Sequence, residues 1–180
     1  TITKVGTCME KWYVAAKKAD FDKWAKEFHI SPVTARILRN RDLTEESEIQ
    51  KFLYGKLEDC YSPWLLKDMD KAVKRINRAL DDGESICIYG DYDCDGVTST
   101  ALLYTFLSAL GGFVSYYIPN RATDGYGMNF KAIDKIKADG TDLIITVDNG
   151  ISSIEEAEYI YSLGMQLIVT DHHQIGENLP

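Results

Sequence analysis

Ser85-Ile86-Cys87-Ile88-Tyr89-Gly90-Asp91-Tyr92-Asp93-Cys94-Asp95-Gly96 is the stretch on which the fold turns. Ser85 to Tyr89 is a short apolar run with β-branched and aromatic residues, which predicts a strand. A glycine-containing acidic turn follows. The spacing then predicts a helix from about Thr98 to Leu110, stopped by Gly111 and Gly112. Further on, Phe113 to Ile118 reads as a second strand, and a polar loop runs to Met128. A helix from Asn129 to Ala138 leads into a third strand, Leu143 to Val147. Another helix, near Ile154 to Leu163, ends at Gly164 before a last strand, Gln166 to Thr170. Strands and helices alternating through short connections predict an α/β fold, a parallel sheet with helices on both faces. The right-handed crossover rule fixes the handedness of each unit.

Upstream the rhythm is helical and charged. Asp20 can cap a helix carrying Phe21, Trp24, Ala25 and Phe28, and Ser31-Pro32 can start another through Val33, Ile37 and Leu38. Thr44 precedes a short acidic helix ending near Phe52 and Leu53. Pro63 breaks the chain, and Asp68 opens an amphipathic helix through Ala72, Val73, Ile76, Ala79 and Leu80 that Gly83 ends. The expected organisation is a helical leader over 1–83 and an α/β domain over 84–180.

The chain has 180 residues, of which 45% are hydrophobic and 27% charged, enough for a real core and unlike a disordered segment. No apolar run reaches the length of a membrane span, and the first twenty residues mix Lys and Glu with aromatics, unlike a secretory signal. Cys8, Cys60, Cys87 and Cys94 form no C-x-x-C pair, which points to reduced thiols in a cytoplasmic protein and away from disulfides or structural zinc. The apolar surroundings of Cys87 predict burial. The net charge of −8 opposes direct binding of a polyanion, unless the acid is gathered to hold cations that face a phosphate.

The acid is gathered. Asp91, Asp93 and Asp95 follow the first strand, Asp148 follows the third, and Asp171, His172 and His173 follow the fourth. Strand exits of an open parallel sheet share one edge, where such folds bind ligands. Carboxylates crowded there repel unless a divalent cation intervenes. Oxygen ligands with one or two imidazoles suit Mn²⁺ well and Mg²⁺ less ideally. Alternating aspartates can face a pair of ions about 3.5–4 Å apart, which activate water and clamp a phosphate. Taken alone, Asp148 reads as a helix cap and the two histidines as a surface pair. Asp91, Asp93 and Asp95 resemble a calcium loop, but Leu102 stands where its closing Glu belongs. Convergence of all three groups favours the metal reading.

D-Y-D-C-D-G from Asp91, P-N-R-A-T-D-G-Y-G from Pro119, T-V-D-N-G-I-S from Thr146 and V-T-D-H-H from Val169 occur in the order found in the DHH phosphoesterases. The sequence resembles that family, and within it the leader blocks narrow the likeness. A-R-I-L-R-N-R from Ala35, K-F-L from Lys51 and P-W-L-L-K-D-M-D-K-A-V from Pro63 are similar to the leader of the RecJ-type exonucleases, which degrade single-stranded DNA from the 5′ end.

The resemblance implies a Rossmann-like DHH domain in which Asp93, Asp95, Asp148 and His172 ligate two divalent cations, Mn²⁺ or Mg²⁺, with Asp148 bridging. It places Asp91 beside them as ligand or orienting group, and His173 at the scissile phosphate. Arg121 would hold a DNA phosphate or narrow the entrance to one strand, and Tyr126 would stack a base or pack its loop. Cys94, Ala122 and Ile175 depart from the usual pattern without touching a proposed ligand. Because the chain stops at Pro180, it reads as an N-terminal piece without the rest of the DHH domain, a DHHA1-type domain or an OB-type domain, and inactive alone. The implied partners are single-stranded DNA, a helicase and a single-strand-binding protein, in repair and recombination and away from membranes. The alternatives are a phosphodiesterase for short oligonucleotides or cyclic dinucleotides, and a non-catalytic DHH scaffold.

Overall fold

The computed structural model describes all residues except 1–16, 123, 124 and 126. The chain divides into two compact units, Thr1–Pro63 and Trp64–Pro180.

The first unit has three α-helices among its described residues, two of them opened by the capping residues read from sequence, while the third starts after Glu45 without a side-chain cap. Asp20 accepts the Lys23 N–H at 2.9 Å and starts α1, Phe21–Glu27. Ser31 Oγ accepts the Thr34 N–H at 3.0 Å and starts α2, Pro32–Asn40, with its proline in the first turn, where a missing N–H costs nothing. α3 is Glu46–Tyr54. Phe28, Leu38 and Ile49 form the buried centre, flanked by Trp24, Ile30, Leu43 and Leu53.

The second unit opens with α4, Met69–Asp82, which ends at Gly83 in a left-handed conformation. Then come β1 (Ser85–Tyr89), α5 (Cys94–Ala109), β2 (Phe113–Tyr117), α6 (Phe130–Ala138), β3 (Leu143–Val147), α7 (Ile154–Ser162) and β4 (Gln166–Thr170). The four strands are parallel in the order β2-β1-β3-β4. The sheet has helices on both faces, as the alternation predicted. Ile86, Leu143 and Ile145 pack on one face with Ala79 of α4 and Leu107 of α5. Cys87, Tyr89 and Ile144 pack on the other with Ile133 of α6 and Ile160 of α7. All of β3 is buried, so its run Leu-Ile-Ile-Thr-Val has no solvent side to alternate with. Burial pushes the Cys87 thiol up to about 11.

Two boundaries differ from the sequence reading, each for a local reason. α4 precedes the change of rhythm at Gly83, yet its apolar stripe is buried on the sheet through Ala79, with Ile76 and Leu80 beside it. The structural division therefore falls one helix earlier, at Pro63. α5 starts at Cys94 instead of near Thr98, because Asp93 caps it by accepting the Gly96 N–H at 2.9 Å. Gly96, read as turn-forming, is there for space. A Cβ on it would lie 2.5 Å from the Asp91 carbonyl oxygen and 2.6 Å from the Asp91 Cβ.

β1 and β3 are hydrogen-bonded neighbours whose connections leave in opposite directions, one towards β2 and the other towards β4. That reversal opens a crevice at their carboxyl ends, the usual ligand position in open α/β sheets.

Candidate metal centre

The chain leaves β1 through Gly90, whose N–H bonds to the Tyr117 carbonyl at 2.9 Å, and delivers Asp91 into the crevice with 2% exposure. Asp93 stands at the head of α5. From β3 comes Asp148, whose N–H donates to the Thr170 carbonyl at 3.0 Å, so the exit of β3 is tied to that of β4. Asp148 is held at φ 64°, a left-handed conformation uncommon outside glycine. It caps no helix, since α7 begins well downstream with Ser153 at its cap position. The next residue explains how the backbone stays there. Asn149 is fully buried and its Nδ2 donates to the Tyr89 carbonyl at 3.2 Å and the Val147 carbonyl at 3.0 Å. One side chain thus stitches the ends of β1 and β3 where their aspartates emerge.

β4 supplies the third cluster. Asp171 Oδ2 accepts the Ile151 N–H at 3.0 Å, while Oδ1 takes the His173 N–H at 3.0 Å and lies 2.7 Å from His173 Nδ1. The carboxylate therefore sets the ring's orientation, a common arrangement behind working imidazoles. His172 points the other way, with Nε2 2.8 Å from Asp148 Oδ1.

Asp91, Asp93 and Asp148 can each place a ligand atom within 4.8 Å of the others, and so can Asp148, His172 and His173. Asp148 belongs to both groups. Asp95 joins neither, but it lines the cleft of about 390 Å³ with Asp148, Asp171 and His172. Arg121 is exposed, its guanidinium over the Tyr92 ring at 5.5 Å from the centroid. Tyr126 lies outside the described residues. Asn149 and Asp171 were given no role from sequence. Asp171 carried the clearer signal, as an acid immediately before two histidines.

Electrostatics separates these acids. Burial, then the neighbouring Asp93, pushes the Asp148 carboxyl above its ordinary value, against the pull of His172 and His173. The Gly96 N–H, chiefly, holds Asp93 low. Burial pushes Asp171 up, but the N–H groups of Ile151 and His173 and the His173 ring outweigh it and hold it low. The hydrogen bond to Asp171 raises His173.

Do these residues suit a divalent cation? Asp91 Oδ1 is buried without a hydrogen-bond partner, and Asp148 Oδ1, equally buried, has only the His172 ring beside it at 2.8 Å. An orphaned buried acceptor costs about 1–3 kcal/mol, and more when charged. A cation supplies what the fold withholds, and a set of carboxylates and imidazoles without thiolate suits Mn²⁺ or Mg²⁺. The donor set fits.

Residues 85–180, more than half of the chain, match the family described as DHH family, N-terminal domain. The chain belongs to the DHH family. It is 41% identical over 173 residues to the single-stranded-DNA-specific exonuclease RecJ of Bacillus subtilis (strain 168), covering 94% of this chain and 22% of that one. Against the protein of the same name from Escherichia coli (strain K12) the identity is 40% over 153 residues, covering 84% and 26%. Among solved structures, exonuclease RecJ bound to manganese superposes with a TM-score of 0.62 at 37% identity, over 67% of this chain and 31% of that one. RecJ from Thermus thermophilus in complex with Mn²⁺ gives 0.60 at 28% identity, over 89% and 22%. This DHH chain thus spans about a quarter of the length of the RecJ proteins it matches. No helix among its described residues is long and apolar enough to cross a membrane.

Proposed function

We propose that this chain is the catalytic-edge portion of a metal-dependent exonuclease that degrades single-stranded DNA from the 5′ end. The observation that carries this reading is the pair of ligand groups meeting at Asp148 in the crevice between β1 and β3. The similarity to RecJ extends through the helical leader as well as the sheet, which favours the exonuclease over a phosphodiesterase for cyclic dinucleotides. An intact acid and imidazole set argues against a silent scaffold.

In this reading Asp93, Asp95, Asp148 and His172 would hold two divalent cations, Mn²⁺ or Mg²⁺; Asp95 enters from the family pattern and lines the same cleft, while Asp91 and His173 complete the two ligand groups beside them. Bound there, the cations supply a polarised water and charge against the phosphate. The protein's own part is positional. Asn149 keeps the strand ends together, and Asp171 holds His173 so that Nε2 can meet the scissile phosphate or hand over a proton. Arg121 anchors a backbone phosphate, and Tyr126 offers a ring to a base without reading sequence. The leader, the domain from Glu84 and the remaining DHH, DHHA1-type and OB-type parts of the family pattern would together make the working enzyme. A cytoplasmic setting fits this chemistry, with a helicase and a single-strand-binding protein as the partners that produce and guard the substrate.

The test is release of mononucleotides from single-stranded DNA by the full-length protein. Mn²⁺ should stimulate it, and Asp148→Ala should cost at least the roughly 10–100-fold that loss of an outer-shell partner costs at metal sites. Full activity in Asp148→Ala, or equal activity on dinucleotides and long strands, would overturn the proposal.

A further inference from the structure

We infer that Tyr92 is a positioning residue for Arg121. Its ring holds the guanidinium beside the carboxylate rim while, among the described residues, its N–H groups are left for a DNA phosphate. The inference rests on the exonuclease reading and adds to it the device that aims the arginine. The Arg121 Cζ lies over the Tyr92 ring at 5.5 Å from the centroid, inside the roughly 6 Å reach of a cation–π contact. Both ends of this contact are fixed. Tyr92 sits between buried Asp91 and Asp93, the cap of α5. Arg121 follows β2, which pairs with β1 in register up to Tyr89 opposite Tyr117. Asn120 Oδ1 accepts the Ala122 N–H at 2.9 Å, turning the chain at Arg121.

Three other arginines show what this contact does differently. Arg75 is bound by Glu84 and Gln166, Arg78 pairs with Asp82, and Arg39 pairs with Asp42. Each of those spends donors and charge on the protein itself. Arg36 is held as Arg121 is, over the Phe21 ring at 4.4 Å from the centroid, but it belongs to the first unit, whereas Arg121 shares the second with the carboxylates. Among the described residues no carboxylate pairs with Arg121. A π face can hold a guanidinium plane without consuming any of its five N–H donors. It also pre-orders a long side chain that binding would otherwise have to freeze. A carboxylate in the same place would hold the arginine but neutralise it.

The experiment measures binding of the full-length protein to oligothymidylate with the metals chelated, so that nothing is cleaved, across a range of salt concentrations. Arg121→Ala is expected to weaken binding about tenfold and to lower the slope of log affinity against log salt by about 0.7, one single-strand phosphate contact. Tyr92→Leu should do the same, and the double variant should bind no worse than Arg121→Ala alone. Tyr92→Phe and Tyr92→Trp, which keep a π face, should restore both affinity and slope. Losses that add in the double variant, or Tyr92→Phe and Tyr92→Trp binding as poorly as Tyr92→Leu, would overturn the inference while leaving the exonuclease reading intact. Failure of the unmodified protein to bind the oligonucleotide without metal would overturn the inference too, whereas failure to release mononucleotides once Mn²⁺ is restored would instead sink that reading. Should Tyr92→Leu unfold, seen in its thermal midpoint, the Phe and Trp variants against Arg121→Ala still decide.

Discussion

The two ends of one sheet carry opposite electrostatic designs. At the amino ends of the strands, Arg75 and Arg78 face Glu84 and Asp142 around a hollow of about 200 Å³ closed by Gly164 and Gln166. Arg75 pairs with Glu84 and donates to Gln166, although its Nη1 finds no acceptor, and Asp142 accepts the Ser85 N–H at 2.9 Å. Acids and arginines balance there. At the carboxyl ends, Asp91, Asp93, Asp95, Asp148 and Asp171 gather with His172 and His173, and among the described residues no arginine or lysine pairs with any of them. One end is neutralised by its own side chains. The other carries an excess of carboxylate that a divalent cation would neutralise, which is how, on the proposed function, an acidic protein would address a polyanion.

The sharpest way to break this comparison is Asp148→Asn. Asparagine tolerates the left-handed backbone and removes only the charge. Calorimetry with Mn²⁺ should show affinity falling by about a hundredfold or more, the upper range for damage to a metal site. In the metal-free protein the same change should stabilise, because the Asp93–Asp148 repulsion and one buried charge disappear. A gain of about 1 kcal/mol corresponds to a melting temperature higher by roughly 2–4 °C. A metal-free variant that melts lower than the parent would mean the fold already compensates Asp148, and the contrast between the ends would fail.

Asn149→Ala comes next. It deletes the tie between the Tyr89 and Val147 carbonyls, so Mn²⁺ affinity should fall about tenfold through displaced aspartates. Stability should drop by about 1–3 kcal/mol in denaturant titration. Unchanged metal affinity would reduce Asn149 to a purely structural role. At the opposite end, Arg75→Met leaves Glu84 partly buried without its partner and should cost about 1–3 kcal/mol of stability. Its Mn²⁺ affinity should not move, since the sheet separates it from the rim. Any coupling between Arg75 and the metal would merge the two ends into one network.

Much of this was legible in the chain because the signals are local. The four strands announce themselves as short apolar runs, and the structure keeps them nearly residue for residue. The carboxylates were legible because each stands immediately after a strand, and topology converts that position into a shared edge. What could not be read depends on partners distant in sequence. Asn149 looks like an ordinary turn residue until β1 is laid beside β3 and the Tyr89 carbonyl comes within reach. Asp171 becomes an orienting group only once the Ile151 N–H fixes one of its oxygens. The early start of α5 stayed hidden because Gly96 is a poor helix former, and only its close fit against Asp91 reveals why it is tolerated. The left-handed Asp148 has no one-dimensional signature, since its strain is held by neighbours on two strands.

The smallest effect is expected at Cys94, and it bears on which metal the rim selects. Cys94 lies between Asp93 and Asp95 but is exposed and belongs to neither ligand group. A thiolate in the coordination shell would draw zinc, whereas an oxygen and imidazole set leaves manganese and magnesium competitive. Cys94→Ala should therefore change Mn²⁺ affinity by less than about twofold and stability by less than about 0.5 kcal/mol, as for surface positions generally. Zn²⁺ affinity should be equally indifferent. If Zn²⁺ binding weakened in the variant while Mn²⁺ binding held, the thiol would be reaching a cation, and the carboxyl-end rim would contain a soft ligand that its oxygen-rich geometry does not show. Alanine in place of Cys94 would then sharpen selectivity for manganese, turning a departure from the family pattern into a determinant of metal choice.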